Sequence, residues 1–329
     1  MVGHSLPSDV RNGIFDEMNA FNCLVILGPT ASGKTKMAAR LASEIPAEII
    51  SADSRQVYRY LTIGTGKDLS EYVVDGKQIP YHLIDIVNAE EQFFLHDFIA
   101  ALEKAFLAVQ SVKKIPIICG GTGLYLDVLQ KTFELTQIPE NDALRESLAL
   151  KTVQELQKLI ANYPSVLTAQ VDLHSHKRLI RGIEIAEYSL TTGTRPELRP
   201  SRYQPFYIGI QTDTESRREK IKIRLQQRLK EGLIEEVEAL LHKGFRHERL
   251  QRLGLEYKFI SLYLQGELTR SDFETRLTTA IQQFAKRQMT WFRKMEKEGC
   301  HIHWMPADTD TSALIQLIQK ETNLITPTD

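Results

Sequence analysis

Two short stretches of the chain carry residue types that could do chemistry. The first, Gly28-Pro29-Thr30-Ala31-Ser32-Gly33-Lys34-Thr35, fits G-x-x-x-x-G-K-[ST] without a departure and follows an apolar run at 21–27. Glycines at that spacing let backbone N–H groups turn toward phosphate oxygens at a helix N-terminus. Lys34 would bring a positive charge to a terminal phosphate, and the Thr35 hydroxyl could ligate Mg²⁺. The second stretch, Ser51-Ala52-Asp53-Ser54-Arg55-Gln56-Val57-Tyr58, places a carboxylate among polar groups after another apolar run. An amide such as Gln56 can pair with an adenine edge and a ring such as Tyr58 can stack on a base. The loop therefore suits base recognition with its own proton acceptor, Asp53. A lone Asp after a strand can equally be a cap or a turn acceptor.

A bound phosphate can be transferred or merely released. Phosphoryl transfer calls for a Mg²⁺-holding acid at the end of another core strand. The apolar run at 114–121 ends in glycines and supplies none, whereas Asp53 and Asp85 end the other two runs and stay open for that role.

The elements that must position these residues follow from the pattern. Apolar runs at 21–28, 47–54, 81–86 and 114–121, with a helical pattern at 97–114, read as alternating strands and helices. A fifth strand is expected at 205–213, and helices at about 214–243 and 270–298. Between the fourth and fifth strands lie helical patterns at 141–163 and 174–190 and a Pro-, Arg- and Gly-rich linker at 191–205. The fold expected is α/β: a P-loop NTPase-like parallel sheet flanked by helices, with an inserted helical subdomain and C-terminal helices. Its core would span 21–133 and 205–329, the insert 134–204, and residues 1–20 would be a polar tail.

With 41 basic and 42 acidic side chains, the net charge of −1 gives no global field toward nucleic acid. Local clusters could still supply one. Residues 217–230 hold seven basic side chains and one acidic, with Ile221, Leu225 and Leu229 as an apolar stripe. Lys286, Arg287, Arg293 and Lys294 surround Trp291, which with Phe292 reads as core. The three cysteines have no metal-binding spacing, and Cys23 and Cys119 sit in apolar runs as small core residues. No run approaches the ~18 apolar residues of a membrane span, and the cytoplasm is the expected compartment.

The chain resembles the tRNA dimethylallyltransferases. The matching pieces are GPTASGKT (28–35), SADSRQVY (51–58), IGTGK (63–67), YHLIDI (81–86), GGTGLY (120–125), KRLIRGIEI (177–185), EGLIEEVEALL (231–241) and FAKRQMTWFR (284–293). They occur in the family's order over nearly the whole chain after residue 20. The resemblance implies transfer of a dimethylallyl group from dimethylallyl diphosphate to N6 of the adenosine 3′ of a tRNA anticodon. It implies that residues 28–35 hold the departing diphosphate with Mg²⁺, that Asp53 is the general base, and that Thr30 supports the reacting diphosphate. It also implies tRNA contacts from Asp53, Ser54, Arg55 and Gln56, from Thr122 and Arg145, and from the helix at Lys177, Arg178, Leu179, Ile180 and Arg181. The partners so implied are tRNA, at its anticodon stem-loop, and the donor, with no membrane and a monomeric chain.

The sequence departs from the family pattern in places. IGTAKP appears as IGTGKD, with Gly66 and Asp68; RALE appears as RGIE, with Gly182; and IGYKE aligns with LEYKF at 255–259. A family arginine that approaches the diphosphate falls on Thr214, where Arg217 or Arg218 would have to substitute. Three other readings stay open on sequence alone: an RNA-binding paralogue of low activity, a P-loop small-molecule kinase, and an isopentenyltransferase acting on free adenine nucleotide, against which the long insert and the C-terminal basic helices argue.

Overall fold

A computed structural model of the chain describes residues 21–130, 138–169, 171–193 and 201–325. Strands β1 (Cys23–Leu27), β2 (Ala47–Ala52), β5 (Tyr81–His82), β6 (Ile115–Gly120), β7 (Pro205–Gln211) and β8 (Ile302–Pro306) form a parallel sheet in the order β5-β2-β6-β1-β7-β8. The short strands β3 (Val73–Val74) and β4 (Lys77–Gln78) pair antiparallel beside it. The central strand β1 is fully buried along its length, as expected where helices cover both faces of a parallel sheet. Helix α1 (Lys34–Glu44) buries the face Met37, Ala38, Leu41 and Ala42, while α2 (Leu95–Ser111) buries Phe98, Leu102, Ala105, Phe106 and Val109. The fold is the α/β arrangement read from the sequence.

Two strands differ from the pattern. The run at 81–86 yields only two strand residues, because Leu83 and Asp85 take left-handed backbone angles (φ 62° and 56°) and turn the chain out of the sheet. The sheet also gains β8, paired with β7 from Ile302 against Tyr207 to Pro306 against Gln211. Its HIHWMP composition has no continuous apolar run to announce it.

After a short helix α3 (Gly123–Asp127), residues Lys131–Pro200 form a compact unit apart from Met1–Gln130 and Ser201–Asp329. That unit holds α4 (Asp142–Ala149), α5 (Val153–Ile160), α6 (Ser165–Thr168) and α7 (His176–Thr192) around Leu148, Leu156, Ile160, Leu179 and Ile183. Gly182 on α7 suits this packing: a Cβ there would lie 2.7 Å from Val171 and 2.9 Å from Ile160. Ser201 and Tyr203 go with the sheet unit, since Ser201 Oγ donates to Leu129 C=O (2.8 Å) and the Tyr203 ring packs edge-on against Phe106.

The sheet unit ends in α8 (Thr214–Lys230), α9 (Leu233–His242), α10 (His247–Leu253), α11 (Leu255–Leu264), α12 (Arg270–Lys297) and α13 (Thr311–Glu321). Asp213 caps α8 by accepting from the N–H groups of Glu215 and Ser216, and Thr269 caps α12. The buried face of α12 runs Phe273, Leu277, Ile281, Ala285, Gln288, Phe292 and Met295, a helical stripe whose one polar member is Gln288. Among the described residues no helix is long and apolar enough to cross a membrane.

Candidate functional site

The loops that follow β1, β2 and β6 open onto one cavity of about 590 Å³ in the sheet unit. Ligands of open parallel sheets gather at this carboxyl edge. Residues 30–35 line the cavity, while Gly28 and Pro29 lie buried beneath them. Ala31 and Gly33 take left-handed angles (φ 62° and 84°), and α1 then starts at Lys34 without any side-chain cap. Its first N–H groups are thereby left for a ligand. Ser32 Oγ is buried and, among the described residues, has no hydrogen-bond partner. Such an orphan, beside uncapped amides and a lysine, fits an anion with oxygen acceptors. Burial pulls the Lys34 ammonium below the ordinary lysine range and Arg224 adds to this, while Asp53 opposes it. Burial raises the Glu71 carboxyl in the same cavity, and Asp68 raises it further.

Asp53 reaches this cavity from the end of β2. Its Oδ1 accepts from the Arg55 N–H at 2.9 Å, a local turn that fixes the carboxylate. Thr122 Oγ1 accepts from the Ser54 N–H (3.2 Å), so the β2 and β6 loops are tied together at that point. Arg55 lines the rim, with Nη1 donating to Arg252 C=O. Gln56 is engaged at both ends of its amide: Oε1 accepts from Ser51 Oγ and Nε2 donates to Gly66 C=O. Tyr58 is buried in the helical core rather than presented to a base; its aromatic neighbour in the loop, Tyr60, is 60% exposed with Lys243 Nζ 4.4 Å over its ring. Asp85 does not line the cavity and instead pairs with the buried Lys67 (2.5 Å), so of the two it is Asp53 that lines the cavity.

The turn at 62–68 forms one wall. The Glu236 carboxylate accepts from the N–H groups of Thr62, Ile63 and Gly64 and from Tyr257 Oη. Asp68 pairs with Arg224 and lies 3.6 Å from Arg228, which in turn lies 3.9 Å from Glu256. Arg228 is 8% exposed, and its Nη2 has no hydrogen-bond partner among the described residues. Gly66 (φ 68°) leaves the room this needs, since a Cβ there would sit 2.2 Å from Arg228 Nη2.

Helix α12 forms the opposite wall. Gln288 Oε1 accepts from the Thr30 N–H and Gln288 Nε2 donates to Gly121 C=O, each at 2.8 Å. Trp291 packs over Gly123 and donates from Nε1 to Asp127 (3.2 Å). Phe292 is core as the pattern implies, but Trp291 lines the cavity.

The remaining expected contacts lie in the helical unit. Arg145 forks onto both oxygens of the buried Glu184 and also pairs with Glu140. Arg181 donates to Glu184 and to the carbonyls of Ile138 and Pro139. Burial would raise the Glu184 carboxyl, yet Arg145, the Asn141 N–H and Arg181 hold it below the usual range. Leu179 is fully buried and Ile180 packs beside it, so Lys177 and Arg178 are the exposed members of that pentapeptide. Arg178 pairs with Asp172 (2.7 Å).

Comparison with known proteins places the chain in a family. A family model described as IPP transferase matches residues 56–295, and one described as isopentenyl transferase matches residues 21–87. The chain belongs to the IPP transferase family. It is 48% identical to tRNA dimethylallyltransferase 1 of Parabacteroides distasonis, covering 91% of this chain and 96% of that relative. Identity to tRNA dimethylallyltransferase 2 of Bacteroides fragilis is 44%, covering 92% and 99%. Among structures, a full-length tRNA isopentenylpyrophosphate transferase from Bacillus halodurans superposes with a TM-score of 0.65 at 31% identity, over 91% of this chain and 95% of that one. A eukaryotic dimethylallyltransferase described as acting on tRNA shares the fold, with a TM-score of 0.74 at 23% identity over 91% and 78%.

Within the IPP transferase pattern, Arg217 and Arg218 do not line the cavity; the α8 cations that do are Arg224 and Arg228. Sequence reading passed over these two, and over Gln288 and Glu71. The signal for Arg224 and Arg228 was present in their four-residue spacing within a basic helix. Nothing in the sequence marked Gln288, because a glutamine on an apolar stripe discloses its partners only once the loops are in place.

Proposed function

We propose that this chain transfers a dimethylallyl group from dimethylallyl diphosphate to N6 of the adenosine 3′ of the anticodon in tRNA, releasing diphosphate. The observation that carries this reading is the shared cavity. Residues 30–35 and Asp53 line the same space, in a chain whose family relatives are tRNA dimethylallyltransferases.

The chemistry suits those residues. The donor's carbon–oxygen bond breaks and its electron pair leaves with the diphosphate, so negative charge grows where the uncapped α1 amides and Lys34 face it. N6 of adenine bonds to the allylic carbon, and Asp53 takes the N6 proton. Adenine must be out of its stack to reach the donor. Among the described residues no cluster of three or more His, Cys, Asp or Glu could hold a metal. The Thr35 hydroxyl is thus the protein ligand proposed for a Mg²⁺ that arrives with the diphosphate, in keeping with that ion's preference for phosphate oxygens and water. When bound, the ion would add positive charge to the leaving group. The anticodon stem-loop as the recognised element, a monomeric state and a cytoplasmic site of action are part of the same proposal.

The test is to incubate the protein with Mg²⁺, labelled dimethylallyl diphosphate and either total tRNA or AMP, with Asp53→Ala in parallel. Label is expected in digests of tRNA and not in AMP, and Asp53→Ala is expected to lose turnover while still binding tRNA. An unlabelled tRNA pool at high enzyme concentration sinks the proposal.

A further inference from the structure

Gln288 sits where three parts of the site meet. It is 7% exposed, lies on the buried stripe of α12, and spends both ends of its amide on other elements. Its Oε1 takes the Thr30 N–H from the loop after β1; its Nε2 gives to Gly121 C=O in the loop after β6. The approach is close, since a Cβ on Gly121 would lie 2.4 Å from Nε2. One residue on, Thr122 accepts from the Ser54 N–H, next to Asp53, whose carboxylate is turned by the Arg55 N–H. A continuous line of hydrogen bonds therefore runs from the P-loop through Gln288 and the β6 loop to the loop that carries Asp53.

We propose that Gln288 is a positioning residue that sets the separation between the leaving-group loop and the base loop. The inference rests on the prenyl-transfer reading above. A glutamine does this where other residues cannot, because one planar group must offer an acceptor to Thr30 and a donor to Gly121 at a fixed distance. Its bond to Thr30 also has a consequence for ligand binding. The Thr30 N–H points at Gln288 and the Ser32 N–H at Pro29 C=O, so the amides that remain for the diphosphate are those of Ala31, Gly33 and the start of α1. Misplacement of reacting groups by about 1 Å can cost ~100-fold in rate while leaving ground-state binding nearly unchanged. Gln288 is thus expected to act on turnover and not on affinity.

Two variants test this, each assayed beside the wild type for kcat, KM for donor and for tRNA, and inorganic diphosphate affinity. Gln288→Leu is expected to lower kcat by about 100-fold with both KM values and diphosphate affinity within about threefold. Gln288→Glu keeps the acceptor for Thr30 but turns a carboxylate toward Gly121 C=O unless protonated. Burial and that carbonyl favour the protonated form. Its activity relative to wild type is therefore expected to climb as pH falls. Unchanged kcat in a folded Gln288→Leu, a matching loss of diphosphate affinity, or a pH-independent activity ratio for Gln288→Glu would each overturn the inference. Should Gln288→Leu fail to fold, the Gln288→Glu profile decides alone. A wild type that prenylates no tRNA sinks the proposed function instead.

Discussion

Lys34 shows how residue chemistry and position combine. The P-loop pattern places a lysine against phosphate, but the fold also half-buries it, in the cavity that Arg224 and Asp53 line too. Burial is the main cause of its lowered pKa, and Arg224 contributes in the same direction. The charged form that a diphosphate needs is full below the folded pKa and lost as pH rises through it. kcat/KM for the donor, which reports the free enzyme, is therefore expected to fall on the alkaline side with a midpoint below the ordinary lysine value of about 10.4. Lys34→Arg should remove that limb, because guanidinium does not titrate there. A profile flat to the ordinary lysine range would end this assignment. Asp53 was legible for a different reason: a carboxylate after a strand, in a loop dense in polar groups. Tyr58 was misread because both tyrosines of that loop fit a base, and only the packing of Tyr58 under the helices decides for Tyr60 as the exposed ring.

At the scale of elements, the departures from the family pattern turn out to be joined. Gly66, Asp68 and Glu256 replace family alanine, proline and glycine, and all three lie around Arg228. Removing Cβ at 66 makes room for the guanidinium, and the two acids give it counter-charges at 3.6 Å and 3.9 Å. Gly66→Ala should cost about 1–2 kcal/mol from left-handed backbone alone, or roughly 2–4 °C in melting temperature for a unit of this size. The guanidinium clash should add to it. In an Arg228→Met background the Arg228 part of that clash should vanish while the approach to Arg224 Nη2 (2.8 Å) stays, so the two substitutions should be non-additive in melting temperature, whereas additive shifts would show the sites to be independent. Each substitution looked like isolated drift in the linear chain, because positions 66, 68, 228 and 256 are brought together only by the α8 and α11 packing. The sheet was easier to read. Its central strands are continuous apolar runs, while the edge strands Tyr81–His82 and Ile302–Pro306 are short, partly polar and set by turn geometry and by pairing with β2 and β7.

For the whole molecule, a net charge of −1 means that attraction to RNA has to come from particular surfaces and not from an overall field. The helical unit offers a clear division of labour among its basic residues. Arg145 and Arg181 converge on Glu184, whose side chain is 1% exposed, so their charge is spent within the unit. Lys177 is exposed on α7, and Arg178 is exposed with Asp172 as a partner. Spacing on the helix had grouped Lys177 with Arg181, since residues four apart share a face; it could not show that a buried acid takes the arginine. The two positions should therefore fail differently. Lys177→Ala is expected to weaken tRNA binding and to reduce the slope of log K against log salt by about 0.7–0.9, the amount for one lost phosphate contact, with the melting temperature unchanged. Arg181→Ala removes one of the two arginines that hold the buried Glu184 carboxylate, which keeps Arg145 and the Asn141 N–H, and is expected to lower the melting temperature of the unit through the loss of one charged hydrogen bond, about 1.5–3 kcal/mol, while the salt slope of the protein that remains folded stays put. Swapped outcomes would assign the RNA contact to Arg181 and leave Lys177 as a solvated surface charge.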